Sequence, residues 1–140
     1  MRDPFLITTP TIVNVCGGGT SALMLRRYLD ANGGRLPAET HAVFANVGRE
    51  RPETLDFLVR CAEAWGVDLR WIERTPGGGF REVTPETASR DGEPLATLFR
   101  ERRYLSNPVT RFCTADGKIQ TARDFMRARG YDHWTSAVGL

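Results

Sequence analysis

Gly17, Gly18 and Gly19, followed at once by Thr20 and Ser21, are the residues of this chain whose types and spacing most directly imply chemistry. They come after a β-branched run, Thr11, Ile12, Val13 and Val15, which suits a buried parallel strand. An amphipathic stretch starts immediately behind them. A strand, a glycine turn and a helix N-terminus together make an anion site. Glycine lets the backbone approach a ligand closely, and the unpaired N–H groups of the first helical turn, with the helix dipole behind them, favour a phosphate. The competing reading is a tight turn that binds nothing, in which Ser21 only caps the helix.

The surrounding elements set that turn in a nucleotide-binding frame. The first helix is expected from about Ser21 to Asn32, with Ala22, Leu25, Tyr28, Leu29 and Met24 on one face and Gly33-Gly34 as its stop. A second strand follows over His41–Asn46, making a βαβ unit with parallel strands. Pro52 suits the first position of the next helix and Glu53 its first turn; that helix runs to about Trp65, and Gly66 ends it. The third strand is Leu69–Glu73. This β-α-β-α-β order is half of a doubly wound sheet. Residues 75–93 then read as a long irregular loop rich in Gly, Pro, Ser and Thr, a kind of segment that is usually functional or disordered. A helix over Pro94–Arg103, a turn at Asn107-Pro108, a helix from about Ala115 to Arg129 and a strand over His133–Val138 complete the chain. In the last helix Ile119, Ala122, Phe125 and Met126 are expected to face the core. Neither a repeat nor a linker is visible, so 1–140 reads as a single domain.

Bulk properties narrow the function classes. A chain of 140 residues is long enough for one core. A net charge of +2 is too small to argue for nucleic acid. Cys16, Cys61 and Cys113 are three in number and far apart, which speaks against a disulfide framework and against an iron–sulfur cluster held by one chain. The N-terminus lacks the apolar core of a signal peptide, and no apolar run reaches the roughly 18 residues of a membrane span. The expectation is a soluble cytoplasmic protein without a membrane partner.

Three phosphate loops compete for the glycine turn. A Walker loop needs a lysine after the glycines, and none is there. A dinucleotide fingerprint fits as Gly17-x-Gly19-x-x-Ala22, but that fold wants an acidic residue at the end of the second strand, where this chain has Ala45-Asn46. The third is the PP-loop, a SGGxDS-like turn. The run VCGGGTSALML resembles its SGGxTSA variant in small, often phage-encoded relatives of phosphoadenosine phosphosulfate (PAPS) reductase. VFANVGRERPETLDFL, ASRDGEPL, NPVTRFCTADGKIQ and HWTSAVGL resemble four further blocks of that family in the same order, so the resemblance covers about residues 11–140. It implies a three-layer α/β/α sandwich with a five-stranded parallel sheet, Rossmann-like and of the adenine nucleotide α-hydrolase type.

The same resemblance implies roles. Cys16, Gly17, Gly18, Gly19, Thr20 and Ser21 would surround the phosphates of ATP or PAPS, with magnesium as an accompanying ion. Phe44, Ala45 and Asn46 would lie beside adenine, although Phe44 reads equally well as core; Asn46 and Gly48 would shape the next loop. Arg111 and Lys118, the sole lysine, would approach the phosphates or sulfate as catalytic cations, against the alternative of a surface ion pair for Arg111. Ser89 and Arg90 would be substrate contacts. Cys113 reads as structural rather than nucleophilic, and no residue set reads as a direct metal site. Glu53 serves the helix dipole, with Glu50 and Glu53 as indirect magnesium partners in the other reading.

The chain also departs from the family pattern. Cys16 stands where the loop has its first Ser, and Thr20 where many relatives have Asp. The reductases' C-terminal tail cysteine has no counterpart before Leu140, so a missing tail, or an edge supplied by another subunit in a homo-oligomer, is expected. The function implied is adenylyl transfer with release of pyrophosphate, or sulfonucleotide reduction by an external thiol. The alternative is a nucleotide-binding or sequestering module without turnover. The acceptor substrate is not specified by any motif.

Overall fold

The computed structural model describes residues 3–16, 19–48, 50–102 and 118–138. The chain is α/β. Its strands are β1 (Thr11–Asn14), β2 (Thr40–Ala45), β3 (Leu69–Arg74), β4 (Phe80–Val83) and β5 (Thr135–Val138). Among the described residues the helices are α1 (Gly19–Ala31), α2 (Pro52–Trp65), α3 (Glu93–Arg102) and α4 (Gln120–Ala128). The five strands form one sheet in the order β4-β3-β2-β1-β5. By contact density the chain divides into two compact units: residues 1–44, 51–70 and 131–140 in one, residues 45–50 and 71–130 in the other.

In the first unit β1 pairs in parallel with β2 on one side and β5 on the other, Thr11 lying opposite both Thr40 and Thr135. Ile12, Val13 and Val15 are buried, as their β-branched run implies. Ser21, Ala22, Leu25 and Leu29 form the buried face of α1, a three- and four-residue spacing that keeps one stripe turned inward. Helix α1 stops as expected. Gly33 and Gly34 take φ of 77° and 86°, and the Gly34 N–H bonds back to the Leu29 carbonyl at 2.7 Å. Asn32 then ties down the N-terminal arm. Its amide donates to the Phe5 carbonyl at 2.9 Å, and its Oδ1 accepts the Ile7 N–H at 3.1 Å. In α2 Pro52 stands at the helix start, Glu53 in the first turn and Gly66 in the left-handed cap, with Leu55 and Leu58 buried.

In the second unit β4 corrects two expectations. Residues 75–93 are not irregular throughout, and the sheet is not wholly parallel, because β4 pairs antiparallel with β3, Trp71 opposite Val83 and Arg74 opposite Phe80. The physical cause is the Gly77-Gly78-Gly79 turn. All three residues have positive φ, at 82°, 111° and 84°, so the chain reverses within a few residues of β3 and returns along it. Glu101 of α3 holds this turn by accepting the Gly77 N–H at 2.6 Å and pairing with Arg74 at 2.5 Å.

Helix α4 buries Thr121, Ala122, Phe125 and Met126. Ile119, expected beside them, is instead 53% exposed. Lys118 and Ile119 lie in a π-helical turn ahead of α4, and the wider turn takes Ile119 out of phase with the buried stripe. The Phe125 ring packs edge-on against Phe80 with centroids 5.7 Å apart, and the Arg129 guanidinium covers it at 4.5 Å. Phe125→Ala is therefore expected to cost about 3–5 kcal/mol, measured as a lowered urea midpoint with an unchanged slope.

Candidate functional site

One side chain ties the residue after Val15 to α1. Ser21 is fully buried, and its hydroxyl donates to the Cys16 carbonyl at 2.8 Å. The same oxygen accepts the Cys16 N–H at 3.0 Å and lies 3.3 Å from the Cys16 thiol. Ser21 thus joins Cys16 to the first turn of α1. Ser21 is the third residue of α1, inside the helix rather than at its N-cap. Gly19 and Thr20, by contrast, are exposed at the start of α1. A Cβ added at Gly19 would meet nothing within 4 Å. No acidic residue sits in the first turn of α1, the end of the helix that carries partial positive charge. Gly17 and Gly18 lie outside the described residues.

Phe44 is buried at the end of β2 and belongs to the core of the first unit. Ala45 beside it is half-buried.

The second unit brings together three of the predicted residues, Asn46, Gly48 and Ser89, around one that sequence reasoning missed. Glu73, on β3, is 1% exposed. Its Oε2 accepts the Asn46 side-chain amide at 2.7 Å and the Ser89 backbone N–H at 2.6 Å. Its Oε1 accepts Arg81 Nη2 at 3.1 Å, and the Arg81 side chain is 54% exposed. A carboxylate taken out of water needs this many donors to be tolerated. Asn46, also fully buried, spends its own groups on the same junction. Its amide donates to the Ser89 carbonyl at 2.9 Å, and its Oδ1 accepts the Gly48 N–H at 3.1 Å. The signal for Glu73 was strand alternation: Trp71 and Glu73 share a face, and Trp71 is apolar.

Beyond that knot the two turns touch backbone to backbone. Gly48 has φ of 84°, and a Cβ there would stand 2.8 Å from the Gly92 Cα and nitrogen and 3.0 Å from Ser89 Oγ. Ser89 Oγ donates to Asp91 at 2.9 Å, which holds the Asp91 carboxyl below its ordinary pKa. Arg90 is exposed and its guanidinium donates to the Pro85 carbonyl at 3.0 Å. Lys118 is half-buried just ahead of α4. Arg111 and Cys113 lie outside the described residues. Cys16 and Cys61 are free thiols, and burial raises the Cys61 pKa. Among the described residues no three His, Cys, Asp or Glu side chains gather as a metal site, and no helix is long and apolar enough to cross a membrane.

Two stability measurements follow from these contacts. Ser21→Ala leaves the Cys16 N–H and carbonyl without their partner and should cost about 1–3 kcal/mol in urea unfolding. Gly48→Ala combines a left-handed backbone with a contact no Cβ tolerates, and should cost about 2 kcal/mol or more by the same measurement. Comparison with protein-family models gives no match to this chain, and comparison with curated proteins gives none.

Proposed function

We propose that the chain binds an adenine nucleotide, ATP or PAPS, on the turn between β1 and α1, and that its fold is of the adenine nucleotide α-hydrolase type. The observation that carries this reading is the start of α1. A parallel strand leads to Cys16, the Ser21 hydroxyl ties Cys16 to the first turn of α1, and that helix opens on an exposed Gly19 and Thr20 with no acidic residue in its first turn to repel a phosphate. The ordered blocks of sequence that resemble PAPS reductase relatives support the same reading.

In this reading the loop N–H groups hold the phosphates, and Arg111 and Lys118 bring the charge that a reacting phosphate needs. An acceptor nucleophile forms a bond to the α-phosphorus, the bond to the bridging oxygen breaks, and pyrophosphate leaves with the electron pair, accompanied by magnesium. Sulfonucleotide reduction on the same site requires a thiol from another molecule. Two observations favour a second reading, a module that binds the nucleotide without turnover: Thr20 supplies no carboxylate for magnesium, and the Ser21 hydroxyl is committed to Cys16.

Calorimetric titration with ATP, PAPS and NAD, with and without magnesium, tests the reading. Micromolar binding of ATP or PAPS, and none of NAD, is expected, with weaker binding for Lys118→Ala. Gly19→Ala separates ligand from fold. Its methyl meets nothing, and alanine is the better helix former by about 0.5–1 kcal/mol. The variant should match or exceed the parent in stability while nucleotide affinity falls about tenfold, a loss of 1.4 kcal/mol. Unchanged affinity would remove the ligand from this turn. Absence of pyrophosphate release despite tight binding would select the non-catalytic module.

A further inference from the structure

We infer that Asn32 is a site of covalent self-modification gated by the N-terminal arm: its side-chain amide is lost to attack by the Gly33 nitrogen, and the product no longer holds the arm. All the residues concerned lie in the first unit. The sequence supplies the reacting pair. Asn32 is followed by Gly33 and Gly34, and a glycine nitrogen is the least hindered backbone nucleophile because no Cβ stands beside it. The structure supplies the access. Gly33 and Gly34 are exposed just past the end of α1, and among the described residues nothing accepts the Gly33 N–H. The other asparagines among the described residues are shielded. Asn14 precedes Val15, whose N–H is held by the Val43 carbonyl at 2.8 Å, and Asn46 is fully buried.

The reaction balances with water alone. The Gly33 nitrogen gives its proton to solvent and forms a bond to Asn32 Cγ; the Cγ–Nδ2 bond breaks, and Nδ2 leaves as ammonia with a proton returned from solvent. Water then opens the five-membered imide at either carbonyl, leaving an aspartyl or an isoaspartyl linkage at position 32. The docked arm restrains the first step. The Asn32 amide donates to the Phe5 carbonyl at 2.9 Å and to the Tyr28 carbonyl at 2.7 Å, and its Oδ1 accepts the Ile7 N–H at 3.1 Å. These bonds fix a planar amide, whereas attack makes Cγ tetrahedral and expels the donor nitrogen. The arm is also seated by the Phe5 ring, edge-on to Tyr28 at 5.1 Å and beneath the Arg27 guanidinium at 6.0 Å. A chain terminus opens at far lower cost than a core, so the reaction proceeds from the undocked arm. After hydrolysis a carboxylate faces two carbonyl oxygens that had been receiving donors. The arm then does not redock, and the step runs one way.

Peptide mapping by mass spectrometry, on the whole protein held in mildly alkaline buffer, tests the inference. Replacement of NH2 by OH is expected at Asn32 at least about tenfold faster than at Asn14 or Asn46, with an isoaspartyl product resolved by chromatography. Phe5→Ala removes the ring that seats the arm. Because modification tracks the population of the open arm, that variant should convert about threefold to tenfold faster. Gly33→Ala places a methyl beside the attacking nitrogen, where it meets no other atom, and should slow conversion severalfold. Asn32→Asp carries the charge of the product, and in it the Ile7 amide should exchange with solvent about tenfold faster than in the parent, read by NMR. Conversion at Asn32 no faster than at Asn14 and Asn46, or unchanged in Gly33→Ala, overturns the modification site. A parental rate in Phe5→Ala overturns the gate, and parental exchange at Ile7 in Asn32→Asp overturns the release of the arm.

Discussion

A charge cannot be buried cheaply, and most of the second unit is arranged around meeting that demand at one place. Glu73 sits on β3 with Trp71 and Ile72 buried beside it, in surroundings that would suit another apolar residue. Keeping a carboxylate there obliges the chain to deliver donors, and it does so from three separate stretches: the Asn46 amide after β2, the Ser89 N–H ahead of α3, and the Arg81 guanidinium from β4. Each donor constrains more than itself. Asn46 fixes Gly48, Ser89 fixes the turn through Asp91, and Arg81 belongs to a strand that exists only because a glycine turn reverses the chain after β3. The first unit has a smaller counterpart in Ser21, whose single oxygen both donates to and accepts from the backbone of Cys16.

The elements that were legible in the sequence share one property: their residues answer to neighbours close in the chain. The face of α1 could be read from the spacing of Ala22, Leu25 and Leu29, and the bounds of α2 from Pro52, Glu53 and Gly66. Strand β4 was not legible. Phe80-Arg81-Glu82-Val83 is too short and too charged to show a period, and only its pairing with β3 makes it a strand. Ile119 was misplaced for the related reason that a π-helical turn changes the period without leaving a compositional mark.

The candidate site divides in the same way. The start of α1 near Gly19 and Thr20 was legible because a glycine run between a β-branched stretch and an amphipathic one marks a strand-to-helix junction. Asn46 and Gly48 were expected to shape the loop after β2, and the Gly48 N–H does bond to Asn46; that the backbone and hydroxyl of Ser89 would be used within the chain was not legible. Sequence alone treats an Asn or a Ser as a group offered to a ligand, whereas here each is spent on another part of the chain. Glu73 was hidden by its company, since a carboxylate at the end of a strand is ordinarily solvated. Its burial and its hydrogen bonds show that it is not.

The contact between Gly48 and Gly92 also bears on how this sequence can drift. Any side chain at position 48 would strike the backbone at position 92, and the left-handed geometry at both glycines discourages replacement by any L residue. Two stretches far apart in the chain are thereby bound into one mutational unit. Neither can gain bulk or lengthen by itself. A variant form of this junction is reachable only by steps that remodel both turns together, so the pair acts as a ratchet on divergence in a region where most loops are free to vary.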